Sequence, residues 1–496
     1  MSSWINRIRV QLLFWRAGAC LRQRQVGQAM ELGQRIVALD PDLVTGWNLL
    51  TQAQVLAHRF LEALESTDRV IAIEPQNLWA WNYRANALMR LERYDEAVTA
   101  FDRVCAFDEF ASKRVTRLSQ QQGMDALLKL RRYDDALAVS DILIHRGPHT
   151  SLYWAQRGLI FAEMRRPLEA EQAFRSADQY ADGQFLQSIQ LSNFYTYWMN
   201  APQRALAVCD AFLALYPKNA GIWVQRGQCL MHSNAYRDAL YAYERALACG
   251  GPSLTAVMPL PLLLNNYAIT LMHQGQYARA LEEYMKSEEG APERASVMQN
   301  RGILFRRIER YVDALRWFEA ALQAERANPR MLDLGDVGKA PKGRAWASTR
   351  NETAFALICL GRLDEAHAIL DEVLASDPRN GYTLGCVGFL EIARGHADEA
   401  LPALTTALGL EPREAPIHAT YALALVAQGN PSEALRAVDY ALSIDPFEAR
   451  TWKIKAQALR AAGREGEAAE AERRGVELLA EQTAQVDAYL QAQGGS

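Results

Sequence analysis

Carboxamides are the side chains in this chain whose placement suggests chemistry. Asn48, Asn82, Gln121, Gln190, Asn265, Gln299 and Asn351 form one set. Gln122, Gln156, Gln225, Asn266 and Asn300 form a second, and Gln52, Asn86 and Gln228 a third. A carboxamide offers a donor and an acceptor, so it can pair with the N–H and C=O of a passing main chain whatever that chain's sequence. Mounted on helices about 8–10 Å apart, a column of them would meet an extended peptide at roughly every third residue, at ~3.3 Å per residue. Each bond would contribute about 0.5–1.5 kcal/mol net, so affinity would come from many rungs. The other reading of the same residues is a solvated polar face.

Covalent and metal chemistry find no foothold. There is no G-x-S-x-G, and Gly335-Asp336-Val337-Gly338-Lys339 lacks both P-loop spacing and a following Ser or Thr. His145 and His149 are four apart, but Gly147-Pro148 interrupts any helix that would set them on one face as ligands. The seven cysteines are scattered and include no C-x-x-C pair. They read as small buried hydrophobes in a reducing compartment. The expectation is a protein with no catalytic residues, no metal and no cofactor.

The elements that must carry the carboxamides declare themselves by repetition. Trp47 returns as Trp81, Phe60 as Tyr94, Ala63 as Ala97 and Pro41 as Pro75, each 34 residues on. A marker alanine runs through Ala29, Ala63, Ala97, Ala136, Ala170, Ala205, Ala239, Ala280, Ala314, Ala366, Ala400, Ala434 and Ala468, and eight of its twelve steps are 34. Aromatics recur at Trp47, Trp81, Trp154, Trp223 and Trp452, small residues at Ala85, Gly158, Gly227, Gly302 and Gly388, and closing prolines at 75, 148, 217, 378, 412 and 446. Small residues let two helices approach, large ones fill the gaps, and a proline ends the second helix. One such unit cannot bury its own apolar face, so neighbours must stack.

The pattern resembles the tetratricopeptide repeat family over residues from about 10 to 475. That resemblance implies an all-α fold, a right-handed α-solenoid superhelix of about thirteen helix–turn–helix repeats, each with helices A and B. It places repeats 1–9 and a capping helix over 1–326, an inserted loop over 327–345, repeats 10–13 over 346–475, and a closing helix and tail over 476–496. It also implies that the carboxamide side of helix A lines a concave groove. There the column resembles the asparagine ladder in the repeat half of O-linked N-acetylglucosamine transferase, with Asn266 and Asn300 the best matches. The carboxylate clamp of chaperone-binding repeats is excluded: Asn82 and Asn86 fit part of it, but the basic residues it needs are missing from repeats 3 to 5.

Other residues on the groove side suggest alternatives. Phe194 and Trp198 could anchor a partner side chain or belong to the core, with core favoured. Arg306 and Arg307 could meet an acidic partner or be solvated. Ile358, Phe389, Ile392, Leu423 and Val426 read as an apolar run that needs covering, by the 327–345 insertion, a partner helix or a second copy. Five arginines (Arg7, Arg9, Arg16, Arg22 and Arg24) and no acid occupy the first thirty residues, among Trp4, Ile5, Ile8, Leu12 and Trp15. Such a helix can cap the first repeat or rest on an anionic membrane.

A net charge of −4 gives no general attraction to nucleic acid, and no stretch approaches the ~18 apolar residues of a membrane span. The chain reads as unprocessed and cytoplasmic, and its preference for arginine over lysine suggests a bacterial source. The function expected is a non-enzymatic scaffold or adaptor for an extended peptide or protein. The alternatives are a self-assembling structural protein and a peripheral membrane adaptor.

Overall fold

The computed structural model describes residues 2–23, 25–106, 113–180, 185–251, 253–290, 295–327 and 344–494. The body of the 327–345 insertion, and most of the extra residues over 107–115 that lengthen one step between marker alanines, lie outside the described residues, with helix resuming at Lys113 and at Arg344. Among the described residues the regular structure is helical throughout. Each expected repeat is a pair: Ser2–Arg22 with Val26–Leu39 in repeat 1, Val44–Leu56 with Phe60–Ile73 in repeat 2, and so on to Ala449–Ala461 with Glu465–Gly494 in repeat 13.

The consensus positions act through packing. All thirteen marker alanines are completely buried. A β-carbon added to Gly227 would stand 2.7 Å from the Tyr243 ring, and one on Gly158 2.8 Å from Phe174, so the small residue is what lets helix B close on helix A. The recurring tryptophan has a polar task as well. Its indole N–H donates to the carbonyl of the closing proline six residues earlier, at 2.7 Å for Trp47 and Pro41, 2.8 Å for Trp81 and Pro75, and 2.9 Å for Trp223 and Pro217. His418 stands in the same place toward Pro412, at 2.9 Å. The bond satisfies a carbonyl that the proline turn leaves outside any helix.

The turn between helices A and B has its own rule. In twelve repeats the residue five places before the marker alanine is left-handed, from His58 at φ 59° and Arg131 at φ 58° to Gly395 at φ 89°. Repeat 6 departs locally. Its helix A ends in a π-helical turn, Phe194–Trp198, and Pro202 opens its helix B at a position where a missing N–H costs nothing.

The chain divides into two compact units, Met1–Gln187 and Ser188–Ser496, with the boundary inside helix Phe185–Asn193. In the first unit each repeat packs on its neighbour. In the second, later repeats also fold back onto earlier ones, and helix Glu465–Gly494 lies along helix Tyr277–Gly290. The expected break at 476 does not occur. Helix B of repeat 13 and the closing helix form one rod of thirty residues. Gly475, in its middle, lies close to the Ala449 carbonyl and Trp452, where it serves close approach instead of ending the helix.

Candidate functional site

Within the second unit, the A helices of repeats 8 to 12 and the start of repeat 13 surround a cavity of about 440 Å³, whose wall includes Asn300, Arg306, Arg307, Asn351, Tyr382 and Arg450. Its polar groups are largely engaged with one another. Arg307 Nη1 donates to Asp445 Oδ2 at 2.7 Å, its Nε to the Tyr277 hydroxyl at 2.8 Å, and Glu448 lies 3.3 Å away. His273 Nδ1 is 2.8 Å from the same Asp445 oxygen, and its ring stacks on Tyr236 at 3.9 Å. Arg306 pairs with Glu352 at 2.8 Å and lies over Phe355.

Burial by itself would push the Asp445 carboxyl up. Arg307 and His273 outweigh it and hold that carboxyl well below the usual carboxylate range. Burial likewise favours neutral guanidines, but Glu352 and Glu448 around Arg306, and Asp445 and Glu448 around Arg307, raise both above their ordinary value. Arg306, Arg307 and Asp445 are buried, and the acidic and basic groups around them offset one another's charge. The expectation that Arg306 and Arg307 stand exposed toward solvent or a partner is therefore corrected: they are 8% and 4% exposed and paired with acids of their own chain.

The apolar run of repeats 10 to 12 is corrected in the same way. Ile358 and Phe389 are buried, with Phe389 stacked on Phe355 and covered by the Arg450 guanidinium. Ile392, Leu423 and Val426 are partly buried against cores of the same unit. The chain covers much of this surface itself. Phe194 is core, as favoured, and Trp198 is half-buried.

The carboxamides fall into two groups. Several join neighbouring A helices: Asn82 Nδ2 donates to Ser119 Oγ at 3.0 Å, Asn300 Nδ2 to Asn265 Oδ1 at 2.9 Å, and Gln299 Nε2 to Ser348 Oγ at 2.6 Å. Gln225 Nε2 reaches Asn193 Oδ1 at 2.7 Å, and Asn86 folds back on Asn82. Asn82, Gln225, Asn265 and Asn351 are buried outright, so at these positions the column is interior and not a free groove surface, although the carboxamide oxygens of Gln225 and Asn351 hold no partner among the described residues. Asn266, turned toward Met258, and Gln228 are half-buried. The second group keeps spare capacity: Gln52 is exposed, Gln121 half-buried, and the carboxamide oxygens of Asn48, Gln122, Gln156 and Gln190 hold no partner among the described residues.

Sequence reasoning missed the fold-back set. Beside Asp445, it includes Lys453 on Glu309 at 2.6 Å, Arg310 on Asp487 at 2.9 Å, and Gln485, which accepts from the Tyr277 amide at 2.8 Å and donates to the Gly275 carbonyl at 3.2 Å. None of these repeats at 34, so no period marks them.

Sequence models of the tetratricopeptide repeat match residues 79–110, 124–184, 199–253, 260–327 and 391–458. This chain belongs to the tetratricopeptide repeat family. Among curated relatives, it is similar to the photosystem I assembly protein Ycf3 of Synechococcus strains CC9902 and CC9605, each 31% identical over 138 residues, which is 25% of this chain and 78% of theirs. Among solved structures it is similar to the APC/C Cut9–Hcn1 hetero-tetramer, at 13% identity and TM-score 0.43 over 97% of this chain and 96% of that one. It is similar also to a tetratricopeptide repeat protein of Parabacteroides merdae, at 17% identity and TM-score 0.38 over 55% of this chain and 98% of that one. A tetratricopeptide array of this kind is a protein-interaction scaffold. No helix among the described residues is long and apolar enough to cross a membrane.

Proposed function

We propose that this scaffold holds an extended polypeptide by its main chain along the A-helix face of the first unit. The observation that supports this is the set of unpartnered carboxamide oxygens at Asn48, Gln122 and Gln156, one each in repeats 2, 4 and 5, beside the exposed Gln52. A buried acceptor left without a donor costs roughly 1–3 kcal/mol, and a passing peptide N–H would relieve it. A carboxamide can also turn over, presenting its N–H₂ to a peptide carbonyl instead. In the second unit Gln190, Gln225 and Asn351 also carry unpartnered oxygens, but Gln225 and Asn351 are fully buried, Asn265, Asn300 and Gln299 are bonded to neighbouring helices, and the cavity wall is lined with paired charges. Peptide capture is therefore assigned to the first unit.

The names of the Ycf3 relatives assign them to the assembly of photosystem I. What carries over here is coarse: a chain that brings protein components together. The test is to capture a partner from the host and measure its affinity for the wild-type chain and for Asn48→Ala/Gln122→Ala/Gln156→Ala. Three lost bonds predict a drop of about tenfold or more. Unchanged affinity, with helicity intact, would sink the reading.

A further inference from the structure

Helix Ser2–Arg22 is apolar on two faces. The inner face, with Val10 and Ala17 buried and Leu13, Cys20 and Leu21 alongside, packs on Leu32, Ile36 and Leu49. On the opposite side, at 100° per residue, Ile8, Leu12 and Trp15 follow at i, i+4 and i+7 in one stripe about 10 Å long. They are 39%, 61% and 72% exposed. An outer helix face ordinarily carries polar residues. Arg9 and Arg16 lie exposed along one edge of the stripe and Arg22 along the other, and the first acid in the chain is Glu31.

We propose that this helix is an interfacial anchor that lies flat on an anionic lipid surface, with Leu12 and Trp15 entering the acyl boundary and the flanking arginines at the phosphates. Charge decides between occupants. Two copies meeting through this face would set arginine edges against arginine edges with no acid to answer them. An anionic bilayer offers apolar depth and negative charge in the same plane, and tryptophan favours that boundary. The whole chain carries −4, so the positive charge is local to this element and orients the molecule. Three apolar side chains and a few arginines give reversible, salt-sensitive attachment, unlike the insertion of a spanning helix.

The test is co-sedimentation of the full chain with vesicles of phosphatidylcholine, alone or mixed with phosphatidylglycerol, at low and high salt. The mixed vesicles should bind the wild-type chain at low salt and release it at high salt, and the pure ones should leave it in solution. Leu12→Gln/Trp15→Gln, which changes exposed side chains and should keep the same circular dichroism, should bind about tenfold more weakly or worse. Arg9→Gln/Arg16→Gln should lose most of the preference for the mixed vesicles. Wild-type chain that ignores the mixed vesicles, or a Leu12→Gln/Trp15→Gln variant that binds them equally, overturns the proposal. So does light scattering in which that variant converts a dimer to a monomer, which would assign the stripe to self-contact. Binding of the stripe to an acidic protein but to neither vesicle overturns it in favour of a protein partner.

Discussion

Arg307 and Asp445 lie 138 residues apart in sequence and 2.7 Å apart in the structure, the guanidinium of repeat 9 donating to a carboxylate at the end of helix B in repeat 12. Both are buried. Asp445→Ala should therefore cost about 3 kcal/mol, because it takes from the buried guanidinium its shorter acid contact and leaves only Glu448, 3.3 Å away. Chemical denaturation of the full chain, followed by far-ultraviolet dichroism, measures it.

The same pair sets an acid limit. The Asp445 carboxyl is held below its ordinary value in the folded state, so its contribution is fully present above the unfolded value of about 4 and is lost as pH falls below that. Wild-type stability should decline from about pH 4 downward more steeply than that of Asp445→Asn, as read by unfolding midpoints across pH.

Helix approach in repeat 7 depends on Gly227. An added methyl would lie 2.7 Å from the fully buried Tyr243 ring, which has no room to retreat. Gly227→Ala should cost about 1–3 kcal/mol, and pairing it with Tyr243→Leu should recover part of the loss. Thermal unfolding of the two variants decides it.

Gly395 offers a cleaner measurement of the turn. It sits at φ 89° with nothing within 4 Å of an added β-carbon. Gly395→Ala should cost about 1–2 kcal/mol from backbone conformation alone. The reverse change, Arg131→Gly at φ 58°, should be nearly neutral or mildly stabilising.

Cys229 lies fully buried within 3.2 Å of Ser192 Oγ and 3.3 Å of Thr196 Oγ1, with Cys209 beside it. The hydrogen bond from Cys209, with those from Ser192, Thr196 and Gln225, brings its thiol down to about 6 despite burial. Access, and not ionisation, should control its chemistry. Iodoacetamide should leave Cys209 and Cys229 unmodified in the native chain and label both in urea, as mass spectrometry of the peptides would report.

The repeat was legible because its physics is local. Ala63 and Gly227 act on the helix next in sequence, so their spacing carries the fold. The carboxamides were only half legible. Helical angle placed Asn265 and Asn300 on the groove side, but whether each meets solvent or the other depends on side-chain reach across neighbouring repeats. Arg306 and Arg307 were placed correctly by angle and misread in exposure. The groove side of the second unit is an interior, and the acids that make it one, Asp445 and Glu448, lie more than a hundred residues away. The left-handed turn residue was hidden because His58, Glu92 and Arg131 fill it as well as glycine does.

That fold-back also bears on how the second unit reaches its native state. An open stack of repeats makes only near-neighbour contacts, so folding can start anywhere and spread. Here Tyr277 meets Gln485 across 208 residues, and Asn234 meets the Arg413 carbonyl across 179. Such contacts raise the mean sequence separation, and with it the entropy that must be lost before the last interactions form. Repeats 7 to 13 should assemble as one slow cooperative event, while repeats 1 to 5 form quickly and piecewise.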